Sequence, residues 1–308
     1  MQMLRAGVAP HEIILSAKPA ESVLHKSGPD PVFAEADIAF GQPDVSCVQQ
    51  SIRLRWLQLA SAGYTRFDTP DFRAFAARRG LPVTNSSMVY AAPCAEQVLA
   101  FMLAQARQLP MALAARYAGG TAPWNELRNR CVRLSRQKVI LLGYGAIAIR
   151  LVELLRPWGM QIVAFRRRVR GDEGIPIVTA AQLPAALGEA DHVINILPDN
   201  ADSHHFFADE RFAAFKPGAV FYNIGRGATV DQAALLAALK GGRLAAAWLD
   251  VTEPEPLPPD HPLLSAPNCY ITPHVAGGHQ NEAESLVRHF LENFQRFLGG
   301  APLHDRIM

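Results

Sequence analysis

Cysteine is scarce and scattered in this chain: 308 residues hold four, at 47, 94, 131 and 269, with no CxxC pair. That spacing excludes a dithiol redox motif, a zinc ribbon and a disulfide framework, and suits a reducing, intracellular setting. A surplus of one charge is lacking as well. Thirty Lys and Arg against 28 Asp and Glu leave a net charge of +2, without the broad basic excess of a dedicated nucleic-acid binder. Long hydrophobic runs are missing: Val139 to Ile149, interrupted by two glycines, falls well short of the ~20 apolar residues of a spanning helix. The opening MQMLRAGVAPHE has no basic head, apolar stretch and cleavage site in the order a secretion signal requires. Internal repeats and low-complexity tracts are absent too. The expectation is a cytoplasmic protein without a membrane or nucleic-acid partner.

What is present is core-forming sequence. Hydrophobic residues make up 49% of the chain, enough for a buried core in each of about two domains. Short β-like runs alternate with helical stretches, the pattern of an α/β fold with mainly parallel sheets. In the first block, Glu12–Leu15, Ala36–Phe40 and Leu54–Leu59 read as strands. Asp71–Arg79 reads as a helix closed by Gly80, and Pro82–Thr84 as a short strand, giving a small flavodoxin-like unit. A helix then runs from about Ala91 to Arg107 and stops near Pro110, and 117–136 reads as a loop with an exposed helix. Beyond it, strands are expected at Lys138–Leu142, Gln161–Phe165, His192–Leu197, Ala219–Ile224, Ala245–Leu249 and Cys269–Ile271. The first of these is almost wholly apolar, as a strand buried on both faces should be. Helices are expected at Ile147–Trp158, Ala233–Lys240 and, strongly amphipathic, Glu282–Phe297.

Directly after Leu142 stands Gly143-Tyr144-Gly145-Ala146-Ile147-Ala148, a GxGxxA turn between a strand and a helix. The first glycine permits the tight turn, the second lets the backbone approach a pyrophosphate, and the small Ala148 lets helix and strand pack closely. The helix N-terminus then offers free N–H groups and a partial positive charge. At the end of the next strand an NAD-binding unit usually carries an acid for the ribose 2′-hydroxyl. This chain has Arg166-Arg167-Arg168 there and no carboxylate before Asp172. Guanidinium groups suit a 2′-phosphate, which points to NADP with NAD as the lesser possibility; Arg166 is the first expected contact and Arg167 the second.

Three later segments each place a polar group at the C-terminal end of a strand, where open α/β sheets bind their ligands. They are Phe221 to Asp231, with Arg226 between two glycines; Leu249-Asp250-Val251 followed by Glu253-Pro254-Glu255-Pro256-Leu257-Pro258; and Thr272-Pro273-His274-Val275-Ala276-Gly277-Gly278. The residue types suit delivery of a hydride and a proton to a keto group. Histidine is the natural proton donor near neutrality, a neighbouring carboxylate favours the imidazolium, and a permanently charged arginine stabilises a developing alkoxide.

Together these segments resemble the D-isomer-specific 2-hydroxyacid dehydrogenases of the glyoxylate/hydroxypyruvate reductase type. Leu57 to Gly63, Pro82 to Ser87, Ala95-Glu96, Ile196-Leu197-Pro198 and the tail from Asn293-Phe294 to Pro302-Leu303 extend the likeness over nearly the whole chain. The resemblance implies two Rossmann-like or flavodoxin-like domains with a cleft between them: 1–88 plus 279–308 for substrate, and 89–278 for NAD(P). It implies a homodimer, with 97–136 as the embracing arm and Trp124 either reaching the neighbouring subunit's cleft or serving as an ordinary interface tryptophan. It also implies Arg226, Glu255 and His274 as catalytic residues. Carried over the same way, Gly143, Tyr144, Gly145, Ala146, Ile147, Arg166, Arg167, Leu197, Pro198, Ile224, Gly225, Asp250 and Gly277 would hold the cofactor. Asp250 would hold the nicotinamide carboxamide. Backbone N–H groups at Gly41, Ala62 and Gly63, with Arg226 and His274, would hold the substrate.

The implied reaction is NAD(P)H-dependent reduction of a small 2-oxo acid to the D-2-hydroxy acid, His274 giving the proton. A nicotinamide-sensing, corepressor-like binding protein and a dehydrogenase of a larger 2-hydroxy acid are the competing readings. Met88, where the family commonly has glycine, and Asp199-Asn200 after Pro198, where Leu-Thr is common, depart from the pattern. His204-His205 and His279 match a metal site by residue type alone, and no metal is assigned.

Overall fold

A computed structural model describes residues 1–18, 28–115 and 122–308. The chain divides into two compact units, Met1–Tyr90 with Gly278–Met308, and Ala91–Gly277. The first unit is built from helix α1 (Gln2–Val8), strand β1 (Ile38–Gly41), α2 (Val45–Gln50), β2 (Trp56–Leu59), α3 (Pro70–Arg79) and β3 (Val83–Thr84). The three strands lie side by side in chain order, all parallel. Local chemistry sets the helix ends. The Asp44 carboxylate accepts from the N–H groups of Ser46 and Cys47 at the start of α2, and the Thr69 hydroxyl accepts from Phe72 at the start of α3. Such caps contribute ~1 kcal/mol each.

Alternation along β2 serves two cores. Leu57 and Leu59 pack with Phe67, Phe72 and Val83, while Trp56 joins Val8, Phe290 and Phe294 on the opposite face. The strand expected at Glu12–Leu15 is not formed. A short apolar run without a neighbour to complete a ladder has no route to a sheet, and Ile14 and Leu15 are exposed. Among the described residues the sheet therefore has three strands, fewer than a flavodoxin-like unit leads one to expect.

Helix α4 (Ser87–Ala106) leads from the first unit into the second, followed by α5 (Leu109–Ala115) and α6 (Ala122–Arg130). By length and composition α4 is apolar enough to cross a membrane, which a search for unbroken apolar runs overlooks. Its Val98, Phe101, Met102 and Ala106 are buried in protein. Pro110 lies in the first turn of α5, where its missing N–H breaks no helical bond. The second unit continues through β4 (Lys138–Leu142), α7 (Ala146–Leu155), β5 (Gln161–Phe165), β6 (Ile177–Val178), α8 (Leu183–Glu189), β7 (His192–Asn195), α9 (Asp209–Ala213), β8 (Ala219–Asn223), α10 (Gln232–Lys240), β9 (Leu244–Leu249) and β10 (Cys269–Ile271).

Its seven strands are all parallel, in the order β10-β9-β8-β7-β4-β5-β6. The chain runs outward from β4 in one direction, then crosses back to β7 and runs in the other. The β4–β7 junction is thus a topological switch point, where sheets of this kind bind their ligands. Helix α11 (Glu282–Leu298) belongs again to the first unit. Phe290 stacks on Phe40 at 4.6 Å and on Trp56 at 5.3 Å, the apolar stripe expected of that amphipathic segment.

Candidate active site

The glycine turn sits at the switch point of the second unit. Gly143 follows β4 at φ +100°, and a Cβ there would lie 3.0 Å from the Ile196 carbonyl beyond β7. Only glycine permits this conformation and this close approach together. At Gly145 a Cβ would meet nothing within 4 Å, so the space beside the turn is open. Helix α7 begins there without a side-chain cap, and Ala148 is fully buried against the sheet. The N–H groups of the first helical turn, including Ala146 and Ile147, have no helical acceptor and face where a pyrophosphate would lie. These residues fit a dinucleotide.

Arg166 ends β5 as expected, but its guanidinium is held. Its NH1 donates to Glu173 Oε1 at 3.1 Å, and the same carboxylate accepts from the N–H groups of Arg170 at 2.6 Å and Gly171 at 2.8 Å. Tyr144, within the glycine turn, donates its hydroxyl to the Glu173 carbonyl at 2.6 Å. The Arg170 N–H foremost, with help from Gly171 and Arg166, holds the Glu173 carboxyl below the usual carboxylate range against its desolvation. Glu173, with its side chain only 3% exposed, is a residue that sequence reasoning missed: spacing along the chain does not reveal a carboxylate folded back onto the end of β5. Arg167 pairs with Asp202 at the surface, both side chains exposed.

The three strand-end segments converge within this unit. His274 stands after β10 at φ +52°, its N–H donating to the Asp250 carbonyl at 2.9 Å. Its Nδ1 lies 2.5 Å from Glu255 Oε1, which leaves Nε2 outside that bond. Burial pushes the Glu255 carboxyl upward, but the bond and charge of His274, the Thr252 N–H and the Arg226 guanidinium outweigh it and hold it below the ordinary value. Arg226 is drawn electrostatically to Glu255 and Asp199, while burial lowers its own pKa from the usual arginine value. The imidazole, its acid and the guanidinium are therefore neighbours.

Close backbone packing presents Arg226. A Cβ on Gly225 would lie 2.7 Å from the Leu197 carbonyl oxygen, and one on Gly227 would lie 2.0 Å from that of Thr252. Beneath the turn, Asn195, Asn223 and Thr229 are buried and mutually bonded. Asn195 Nδ2 donates to Asn223 Oδ1 at 2.9 Å and to Thr229 Oγ1 at 2.7 Å, and Thr229 donates to the Arg226 carbonyl at 2.6 Å. A saturated buried network of this kind fixes a turn rigidly. Polar residues ending otherwise apolar strands were its signal in the sequence.

Asp250, 2% exposed, spends its carboxylate on its own surroundings. Oδ1 accepts from the Thr272 hydroxyl at 2.6 Å and the Val275 N–H at 3.0 Å, and Oδ2 from the Ala276 N–H at 2.8 Å. It thereby holds the segment carrying His274. Cys94 is buried near Asp250 and Arg226, and burial foremost pushes its thiol up to about 12, which keeps it an unreactive neighbour. Leu197 and Pro198 follow β7, Ile224 and Gly225 follow β8, and Gly277 is the last residue of the unit.

In the first unit, Gly41 ends β1 and Ala62-Gly63 follow β2. Gln42 ties the two loops, donating to Ser61 Oγ at 2.6 Å and accepting from Arg66 at 2.7 Å. Among the described residues the N–H groups of Ala62 and Gly63 meet no acceptor, so two adjacent donors remain.

A dinucleotide turn at a switch point, with an imidazole–carboxylate pair and a guanidinium at the ends of β10, β9 and β8 of the same sheet, defines a nicotinamide-dependent oxidoreductase. The chain belongs to the D-isomer specific 2-hydroxyacid dehydrogenase family, whose NAD-binding domain matches residues 99–276. It is 32% identical over 277 residues to glyoxylate/hydroxypyruvate reductase B of Klebsiella pneumoniae, covering 87% of this chain and 83% of that protein. Human glyoxylate reductase/hydroxypyruvate reductase is 30% identical over 232 residues, 75% of this chain and 71% of the human protein. Among solved structures, an NADPH-dependent glyoxylate/hydroxypyruvate reductase of Sinorhizobium meliloti in complex with NADP and sulfate superposes with a TM-score of 0.74 at 26% identity. That superposition covers 90% of this chain and 88% of the other.

Proposed function

We propose that this protein reduces a small 2-oxo acid of the glyoxylate or hydroxypyruvate type to the D-2-hydroxy acid, with NADPH preferred over NADH. The observation that carries the reading is the Glu255–His274 pair beside Arg226, in the same unit as a glycine turn that fits a dinucleotide. When bound, the nicotinamide supplies the hydride. The chain's own residues do the rest: Arg226 polarises the keto oxygen, His274 Nε2 gives it a proton, and Glu255 orients the imidazole. Asp250 serves by holding the His274 segment, in addition to the carboxamide contact implied by the family. Gly41, Ala62 and Gly63 provide the N–H groups for the substrate carboxylate. A spectrophotometric screen of 2-oxo acids with both cofactors tests the reading; NADPH oxidation with glyoxylate and hydroxypyruvate is expected, and none across the panel contradicts it.

Glu255→Gln replaces the carboxylate bonded to the imidazole Nδ1 with an amide that can donate as well as accept and so no longer fixes the ring's tautomer. kcat is expected to fall by about tenfold or more, and an undiminished kcat removes Glu255 from this role. The depressed pKa of the Glu255 carboxyl keeps it ionised as pH falls into the ordinary glutamate range.

Arg166 is assigned to the 2′-phosphate, with Arg167 second, and Glu173 is assigned to hold Arg166 in place. Arg166→Ala is expected to raise the KM for NADPH by about tenfold, one charge-assisted bond being worth ~1.5–3 kcal/mol, with little change for NADH. Glu173→Gln should move the ratio in the same direction by less. Equal effects on both cofactors contradict the assignment. The 97–136 arm carries exposed Leu109, Leu113, Trp124 and Val132, apolar surface that suits a homodimer. Trp124 lies under the Arg128 guanidinium at 4.5 Å; residues 116–121 of the arm lie outside those described.

A further inference from the structure

We propose that His204, His205 and Glu253 form a surface site for one divalent transition-metal ion of the imidazole-preferring class, such as Zn2+ or Ni2+. The sequence gives two adjacent histidines and no third ligand; the fold supplies it. One ligating atom from each of the three exposed side chains lies within 4.8 Å of the others. His279, grouped with them in the sequence by residue type alone, belongs to the first unit, where its Nε2 lies 3.2 Å from Ser285 Oγ.

Neighbouring residues in an extended chain point to opposite sides. Here His205 takes the left-handed conformation at φ +47°, and the two rings stack at 4.1 Å with 16° between their planes. For a residue other than glycine that conformation costs ~1 kcal/mol or more and persists only where its surroundings impose it. They do so here: the N–H of His205 donates to the Ala228 carbonyl at 2.8 Å and that of Phe207 to Thr229 at 3.0 Å. Glu253 is presented from the segment after β9 by Gln232, whose amide donates to the Glu253 carbonyl and accepts its N–H at 3.2 Å. Among the described residues no hydrogen bond or ion pair competes for the three side chains.

Two backbone segments, each pinned, thus bring three ligating side chains within reach of one ion. Tetrahedral bonds of ~2.0–2.1 Å need ligand atoms roughly 3.3 Å apart, a closure that exposed side chains make by changing rotamer. Two imidazoles and one carboxylate select Zn2+, Ni2+ or Cu2+ over the oxygen-seeking Mg2+ and Ca2+. Three protein ligands also leave coordination positions open for water.

The test is calorimetric titration of the untagged full-length protein with NiCl2, ZnCl2 and MgCl2, alongside His205→Ala, His204→Gln and Glu253→Gln. One Ni2+ or Zn2+ per chain is expected, with no Mg2+ heat, and a loss of affinity of about tenfold or more in each variant. His279→Ala should bind as the parent does. His204→Gln leaves the left-handed turn intact and serves if His205→Ala does not fold. No binding by the parent at millimolar Ni2+, or affinity undiminished by His204→Gln and Glu253→Gln, overturns the proposal.

Discussion

His274→Gln is expected to lower kcat by about 10²–10⁴-fold, the usual contribution of a positioned general acid, while NADPH binds as before. The division follows from where the parts lie. In the proposed mechanism His274 offers the reacting oxygen one ring nitrogen, the other being engaged by Glu255 at 2.5 Å. The elements that fit the dinucleotide are the Gly143–Ala148 turn and Arg166, on other strand ends of the sheet. Glutamine fills similar space and keeps a hydrogen bond to Glu255 available, but it has no proton to give near neutrality. The measurement is steady-state NADPH oxidation alongside a fluorescence titration of NADPH. Undiminished turnover removes His274 as the acid, and lost cofactor binding points to a damaged fold.

Arg226→Gln is expected to lower kcat/KM by about 10²–10³-fold, the loss seen when one donor to a developing oxyanion is removed. The effect should appear in kcat as well as KM, because the guanidinium acts on the keto oxygen as charge develops there. Lysine should not restore the rate. Its point charge lacks the planar fork, and the turn beneath is fixed by Asn195, Asn223 and Thr229 around an arginine backbone it cannot shift. Parallel initial-rate measurements on Arg226→Gln and Arg226→Lys test this. A change confined to KM would reduce Arg226 to simple substrate binding.

Much of the fold is legible where physics is local. β5 and β10 are found at the expected residues, and β4 as well, because strands sandwiched between helices must be continuously apolar. Glu12–Leu15 has the same apolar look, yet no partner strand lies beside it among the described residues, and pairing is not a local property. β6, two residues long, is too short to show a period. Helix α4 escaped notice as a long apolar element because Pro93 and Glu96 interrupt its run without ending it.

At the site, Arg226, Glu255 and His274 announce themselves through the glycines and prolines around them, residues whose backbone demands leave a trace in the sequence. Glu173 leaves none. Its place against Arg166 depends on the path of residues 166–174 in space, as does the approach of Glu253 to His204 and His205. Asp250 stands out in the sequence as the acid after β9, but its bonds to Thr272, Val275 and Ala276 emerge only when two strand ends are seen together.

In the proposed reaction a keto carbon receives hydride from the nicotinamide while His274 protonates its oxygen, and isotope transfer tests this most directly. NADPH deuterated at its transferable C4 position, supplied with hydroxypyruvate, should yield D-glycerate carrying deuterium at C2. Glycerate of the L configuration, product without the label, or no oxidation of NADPH at all would contradict it.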